Sequence, residues 1–164
     1  MSKLYIIRGL PGAGKSTLAK EIAARTGADH WEADQYFIKN GVYKFDGMSI
    51  GEAHDQCHSN FSDSILAGRD VIVSNTFTRL REFEEYVYDA QSCKYDVIII
   101  ECLENYGSIH NVPDSSMERM RSRWEPNSKL QEIQAKASMA FEFDWEDITL
   151  LNQDEFDLHE MLPI

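Results

Sequence analysis

The stretch RGLPGAGKST, Arg8 to Thr17, sets three glycines, a lysine and two hydroxyls between an apolar run and a helix-forming one. Gly9, Gly14, Lys15 and Ser16 satisfy the spacing G-x-x-x-x-G-K-[ST] of a phosphate-binding loop. Glycines admit positive φ angles, so successive N–H groups converge on one anion. The helix that starts near Lys15 adds its positive dipole end to the same place. In this pattern Lys15 is an exposed loop cation that reaches the β- and γ-phosphates, and the Ser16 hydroxyl ligates Mg2+. Thr17 donates to the α-phosphate. The expected nucleotide site is therefore Gly9, Leu10, Pro11, Gly12, Ala13, Gly14, Lys15, Ser16 and Thr17, and the expected ligand is ATP or GTP.

Such a loop needs a strand in front of it and a helix behind it. Residues 3–8 supply the strand, and 15–26 the helix, which Gly27 stops. DHWEAD (29–34) reads as a second strand closing on Asp34, and 41–47 as a loop or small hairpin bounded by glycines. Ile50, Ala53, Cys57, Phe61 and Ile65 share one face of a helix over 50–67. DVIVSN (70–75) and DVIIIE (96–101) are short buried strands, with a helix over 79–91 between them. A loop over 105–113, helices over 114–124 and 127–142 and a last strand over 147–151 follow. The acidic tail from about 152 is a short helix or mobile.

This alternation predicts an α/β chain, a three-layer α/β/α fold around a central parallel sheet, in one domain spanning 1–164. Ligands of such sheets bind beyond the carboxyl ends of the strands. That rule directs attention to Asp34, to Ser74, Asn75 and Thr76, and to Glu101, which either supports the water shell of a metal or merely closes its strand.

With 16 basic and 28 acidic residues, the formal charge of −12 argues against broad, charge-driven binding to long nucleic acid, though a local basic site for a strand end remains compatible with it. No apolar run reaches membrane length, and Met1 opens directly into the first strand, so neither a membrane span nor a signal peptide is expected. Cys57, Cys93 and Cys102 lack paired spacing and read as free thiols in a reducing cytoplasm.

Four stretches together, GLPGAGKST, EADQYF (32–37), SNTFT (74–78) and IHNVPDSSMERMRSRWE (109–125), resemble the small P-loop kinases that include the kinase half of phage polynucleotide kinase and its bacterial relatives; zeta toxins are more distant members. The resemblance covers about the first 125 residues. It implies an ATP- and Mg2+-dependent kinase whose acceptor is the 5′-hydroxyl of an oligonucleotide or of a nucleoside-like small molecule. Asp34 would be the general base, and 104–125 a lid whose Arg119 and Arg123 clamp the phosphates, with Arg121 on another helical face. Three departures stand out. Asn75 replaces an acid, Phe37 replaces an arginine, and the lid is less basic. They keep open a small-molecule or sugar-nucleotide kinase, and a non-kinase ATP-binding switch.

Weaker signals surround this core. His54 and His58 have the spacing of a zinc-binding helix, but no third ligand is evident; relatives also carry a histidine at the position of His54, which suits the acceptor pocket or plain packing. Tyr36, with Trp31, Phe37, Tyr43 and Phe45, offers rings on which a base stacks, or core. Asn75 and Thr76 complete the expected acceptor side. His110 and Asn111 are lid residues that touch nucleotide or lie in a bare loop.

Overall fold

The computed structural model describes residues 1–107, 112–136 and 144–156, with the side chains of 133–136 left aside. The elements run β1 (Lys3–Gly9), α1 (Lys15–Thr26), β2 (Asp29–Trp31), β3 (Ile38–Lys39), β4 (Val42–Tyr43), α2 (Ile50–Leu66), β5 (Val71–Asn75), α3 (Glu84–Ser92), β6 (Asp96–Cys102), α4 (Asp114–Ser122), α5 (Asn127–Lys136) and β7 (Ile148–Asn152). Five strands form one sheet in the order β2-β5-β1-β6-β7, and every neighbouring pair is parallel. β3 and β4 form a separate antiparallel hairpin. His110, Asn111 and the far part of the acidic tail lie outside the described residues.

Period-two alternation along β1 accounts for the three layers. Leu4 and Ile6 face a core shared with Phe61 of α2, Val87 of α3 and Leu130 of α5. Tyr5 and Ile7 face Leu18, Ala19 and Ile22 of α1 on the other side. Both faces are covered, as the short apolar strands require. No described helix is long and apolar enough to cross a membrane. All three cysteines are free.

Three boundaries depart from expectation, each for a local reason. β2 stops at Trp31, so Asp34 sits in a 3-10 turn over Ala33–Phe37 and not at a strand end. The Asn75 side-chain oxygen takes the Ala33 N–H at 2.8 Å, and the Gln35 carbonyl takes that of Glu32 at 3.2 Å, which turns the chain out of the sheet. The helix expected over 79–91 breaks at Phe83, whose fully buried ring is carried into the core with φ −128°. The loop over 41–47 begins within the hairpin, whose Asn40 (φ 54°) and Gly41 (φ 77°) supply the two left-handed residues of a tight turn.

β2 is only three residues long, yet it carries the residues that lead into the site. It is held from the side: Ser64 of α2 donates to Asp29 Oδ2 at 2.6 Å and accepts from Trp31 Nε1 at 2.8 Å. Arg69 Nε adds a bond to the same Asp29 oxygen at 2.7 Å. Burial would raise the Asp29 carboxyl, but the bonds from Ser64 and Arg69 hold it below its ordinary value.

Candidate active site

The phosphate-binding loop is built as its glycines require. Gly12 (φ 86°) and Gly14 (φ 87°) occupy the left-handed region, and Gly14 caps α1. A Cβ at Gly9 would lie 2.8 Å from the Cys102 carbonyl oxygen of the neighbouring strand, so only glycine fits there. Gly9 N also donates to Thr76 O at 3.3 Å, which ties the loop to the end of β5.

Lys15 is half-buried, a correction to its expected exposure, and its ammonium donates to Leu10 O at 3.0 Å within the loop. Burial lowers its pKa, while the nearby Cys102, Glu32 and Asp34 pull the other way. Thr17 is exposed at the mouth.

Ser16 Oγ donates to Glu32 Oε2 at 3.0 Å, and Ser74 Oγ donates to the same oxygen at 2.9 Å. His30 Nε2 lies 2.8 Å from Ser74 Oγ and 3.6 Å from Glu32 Oε2. Burial would raise the Glu32 carboxyl, yet its bonds and the charge of His30 hold it below its usual range. Sequence reading missed Glu32. Its only linear signal is a second carboxylate two residues before Asp34.

Asp34 is exposed on its 3-10 turn and accepts from Tyr43 Oη at 3.4 Å. The turn is fixed by a small cluster of Ala33, Phe37 and Ala53, with Tyr36 and Tyr43 against it. Tyr36 donates to Glu52 at the start of α2 at 2.5 Å. Beyond this cluster Ile38, Val42, Phe45, Met48 and Ile50 are all exposed, an apolar rim on the acid's side of the site.

Other expected residues are placed differently. Asn75 is buried, its oxygen engaged by Ala33 N and its amide directed to Cys57 Sγ at 3.7 Å, so it shapes the Asp34 turn. Thr76 is half-buried beside the loop. His54 is exposed on α2, and the two histidines do not converge: His58 turns to Asp89 at 3.0 Å and Glu85 at 3.7 Å. Glu101, at the end of β6, is buried and engaged by the protein itself. It accepts from Trp124 Nε1 at 2.7 Å and from Asn127 N at 3.2 Å.

The lid arginines also separate. Arg121 lines a cavity of about 270 Å³ with Leu10, Pro11, Met117 and Trp124, so the arginine expected to point elsewhere is the one beside the loop. Met117 and Arg121 are four apart and share a face, which is the face α4 turns to the loop. Arg119 donates to Ser116 at 3.1 Å, and Arg123 lines a different depression, of about 500 Å³, with Arg79 and Arg81. Tyr106 from the same segment donates its N–H to Gly12 O at 2.7 Å, and its ring would meet any side chain at Gly14.

Behind the loop lies a fully buried arginine. Arg8 Nε and Nη2 donate to Phe77 O at 3.0 and 2.9 Å, Nη2 reaches Thr78 O at 3.2 Å, and Nη1 donates to Asn127 Oδ1 at 2.9 Å. Its guanidinium lies over Trp124 and Phe83. Burial pulls its pKa down to about 10, opposed by Glu101, Glu125 and Glu82, so it stays charged at neutral pH. Asn127 continues the network to Ile99 O and Leu151 O. One side chain thus fixes the end of β5 and the base of the lid against β1. Arg8→Met leaves these acceptors and Glu101 uncompensated in the core, an expected loss of about 3–5 kcal/mol. Thermal unfolding checks it, with a drop in Tm on the order of 10 °C.

The sequence profile of a family described as an AAA domain matches residues 4–106. Among curated proteins, NEDD4-binding protein 2 of Homo sapiens is 34% identical over 100 residues, which are 60% of this chain and 6% of that protein. The chain thus spans only a small part of the length of that relative. Kti12 of Chaetomium thermophilum, solved in complex with ADP-AlF3, superposes with a TM-score of 0.55 at 12% identity, covering 94% of this chain and 91% of Kti12. A chain of the Pnkp1/Rnl/Hen1 complex superposes with a TM-score of 0.52 at 18% identity, covering 72% of this chain and 38% of that one. At these identities the two structures establish a common P-loop, kinase-like fold.

Proposed function

The chain belongs to this AAA domain family of P-loop proteins, and on that premise we propose that it is an ATP-dependent phosphotransferase that moves the γ-phosphate to a 5′-hydroxyl of an oligonucleotide or nucleoside. The observation that carries the reading is the turn that begins where the loop is tied down: Ser16 is bonded to Glu32 at 3.0 Å, and two residues on the 3-10 turn over Ala33–Phe37 presents Asp34, exposed. A loop that only holds nucleotide has no use for a carboxylate on its acceptor side. A kinase needs one to align the hydroxyl and receive its proton.

In this reading the loop N–H groups and Lys15 hold the phosphates, and Arg121 is the lid cation poised over them. Arg119 and Arg123 would join only by a movement of α4. The oxygen donors about Ser16 suit a hard cation such as Mg2+, which when bound neutralises charge on the bridging phosphates. Asp34, steadied by Tyr43, receives the acceptor's proton. The exposed apolar rim from Ile38 to Ile50 supports an acceptor that carries a base, since a ring stacks on such a surface and a small sugar acid gains nothing from it. The basic depression of Arg79, Arg81 and Arg123 supports a phosphodiester beyond the reacting end.

Transfer of labelled phosphate from ATP to 5′-hydroxyl DNA, 5′-hydroxyl RNA, nucleosides and small alcohols tests the proposal. The expected result is transfer to one of the base-bearing acceptors and not to the small alcohols. Transfer to the small alcohols alone would replace the acceptor, and ATP hydrolysis unaffected by every acceptor would replace the kinase reading by a switch.

A further inference from the structure

We infer that Glu32 is the residue that prepares the loop for magnesium: by accepting the hydrogen bond of the Ser16 hydroxyl it leaves the lone pairs of that oxygen facing the ion. The inference rests on the proposed nucleotide-dependent transfer at this site.

Three observations carry it. First, Ser16 and Ser74 both donate to one oxygen of Glu32, at 3.0 and 2.9 Å, and Ser74, having spent its proton, accepts from His30 at 2.8 Å. The carboxylate is thus oriented from β2, from β5 and from α1 at once. A hydroxyl whose proton is committed to a carboxylate has a fixed direction and a more basic oxygen, as imidazole ligands of metals gain from their carboxylate partners. Second, Glu32 is largely sheltered, with 19% of its side chain exposed, and abuts a loop shaped to collect phosphates. A buried carboxylate there repels a triphosphate unless a cation lies between them. Its presence is costly in a loop that binds bare nucleotide and useful in one that binds the magnesium complex. Third, the position at the end of β5 is occupied by an amide whose oxygen is already bonded to Ala33 N and whose residue is buried. The carboxylate that Ser16 meets is instead Glu32. Gln35 secures it, donating to His30 O at 3.1 Å while accepting from Glu32 N.

The test is calorimetry of ADP binding to the full chain, without magnesium and then with magnesium titrated at saturating ADP. Glu32→Gln keeps the shape and removes the charge. It is expected to bind metal-free ADP as tightly as the unsubstituted chain or more so, and to lose about 10–100-fold in apparent magnesium affinity. Glu32→Asp, with the charge restored on a shorter arm, recovers part of that affinity. Unchanged magnesium affinity in Glu32→Gln overturns the inference. So does a parallel loss of metal-free ADP affinity, which marks a merely structural role. If the unsubstituted chain itself shows no magnesium-dependent gain, the proposed function falls with it, whereas a normal gain in both proteins sinks the Glu32 role alone.

Discussion

Lys15→Ala is expected to transfer phosphate about 10³-fold more slowly than the unsubstituted chain while melting at nearly the same temperature. The rate argument is electrostatic. As the γ-phosphate moves, charge spreads over its oxygens inside a half-sheltered loop, and a fixed cation there acts in a medium less screening than water. A single donor aimed at developing charge is worth about 10²–10³-fold in such sites, and a full charge lies at the upper end. The stability argument is separate. Among the described residues Lys15 makes one hydrogen bond, to Leu10 O, and its burial already works against its charged form. Removing it costs the fold about 1 kcal/mol or less. Initial rates of transfer and a thermal melt on the same preparation decide the matter. Full turnover by Lys15→Ala would remove the phosphate-loop argument altogether, and a collapsed melt would mean that the lysine serves the fold.

Asp34→Asn is expected to keep ATP and Mg2+ binding and to lose transfer by about 10²–10⁴-fold. Asparagine preserves the shape and the bond from Tyr43, but it cannot accept a proton as the new P–O bond forms. Acceptor affinity changes little, because holding the hydroxyl needs only a hydrogen bond. The substitution is also benign for folding, since the side chain is exposed and its turn is fixed by Phe37, Ala33 and Ala53 behind it. Titration of ATP beside a transfer assay separates the possibilities. Undiminished transfer refutes the base assignment, and lost ATP binding moves Asp34 into the nucleotide shell.

The contrast between Asp34 and Glu32 shows where linear reading stops. Asp34 is a candidate on sequence alone because it lies in a stretch, EADQYF, whose pattern resembles that of known kinases. Glu32 is in the same stretch and was passed over, since nothing local distinguishes a carboxylate that meets Ser16 from one that meets water. The lid shows the same limit. Helical spacing correctly separated Arg121 from Arg119 and Arg123, but it carried no information about which face α4 turns to the loop.

What the chain determines by itself is whatever depends on neighbours in sequence. The loop from Gly9 to Ser16 follows from glycine's backbone freedom and a helix start, and β1, β5 and β6 follow from short apolar runs, rich in β-branched residues in β5 and β6, too short to be helices. Covered parallel strands then imply the layered architecture. Tertiary structure decided the rest. The order β2-β5-β1 brings Glu32 to Ser74, 42 residues away, and both to Ser16. It also sets Arg8 against Asn127, 119 residues on. Such pairings belong to no period or propensity. They arise because a buried charge has to find partners wherever packing has placed them, and packing is settled by the whole hydrophobic core at once.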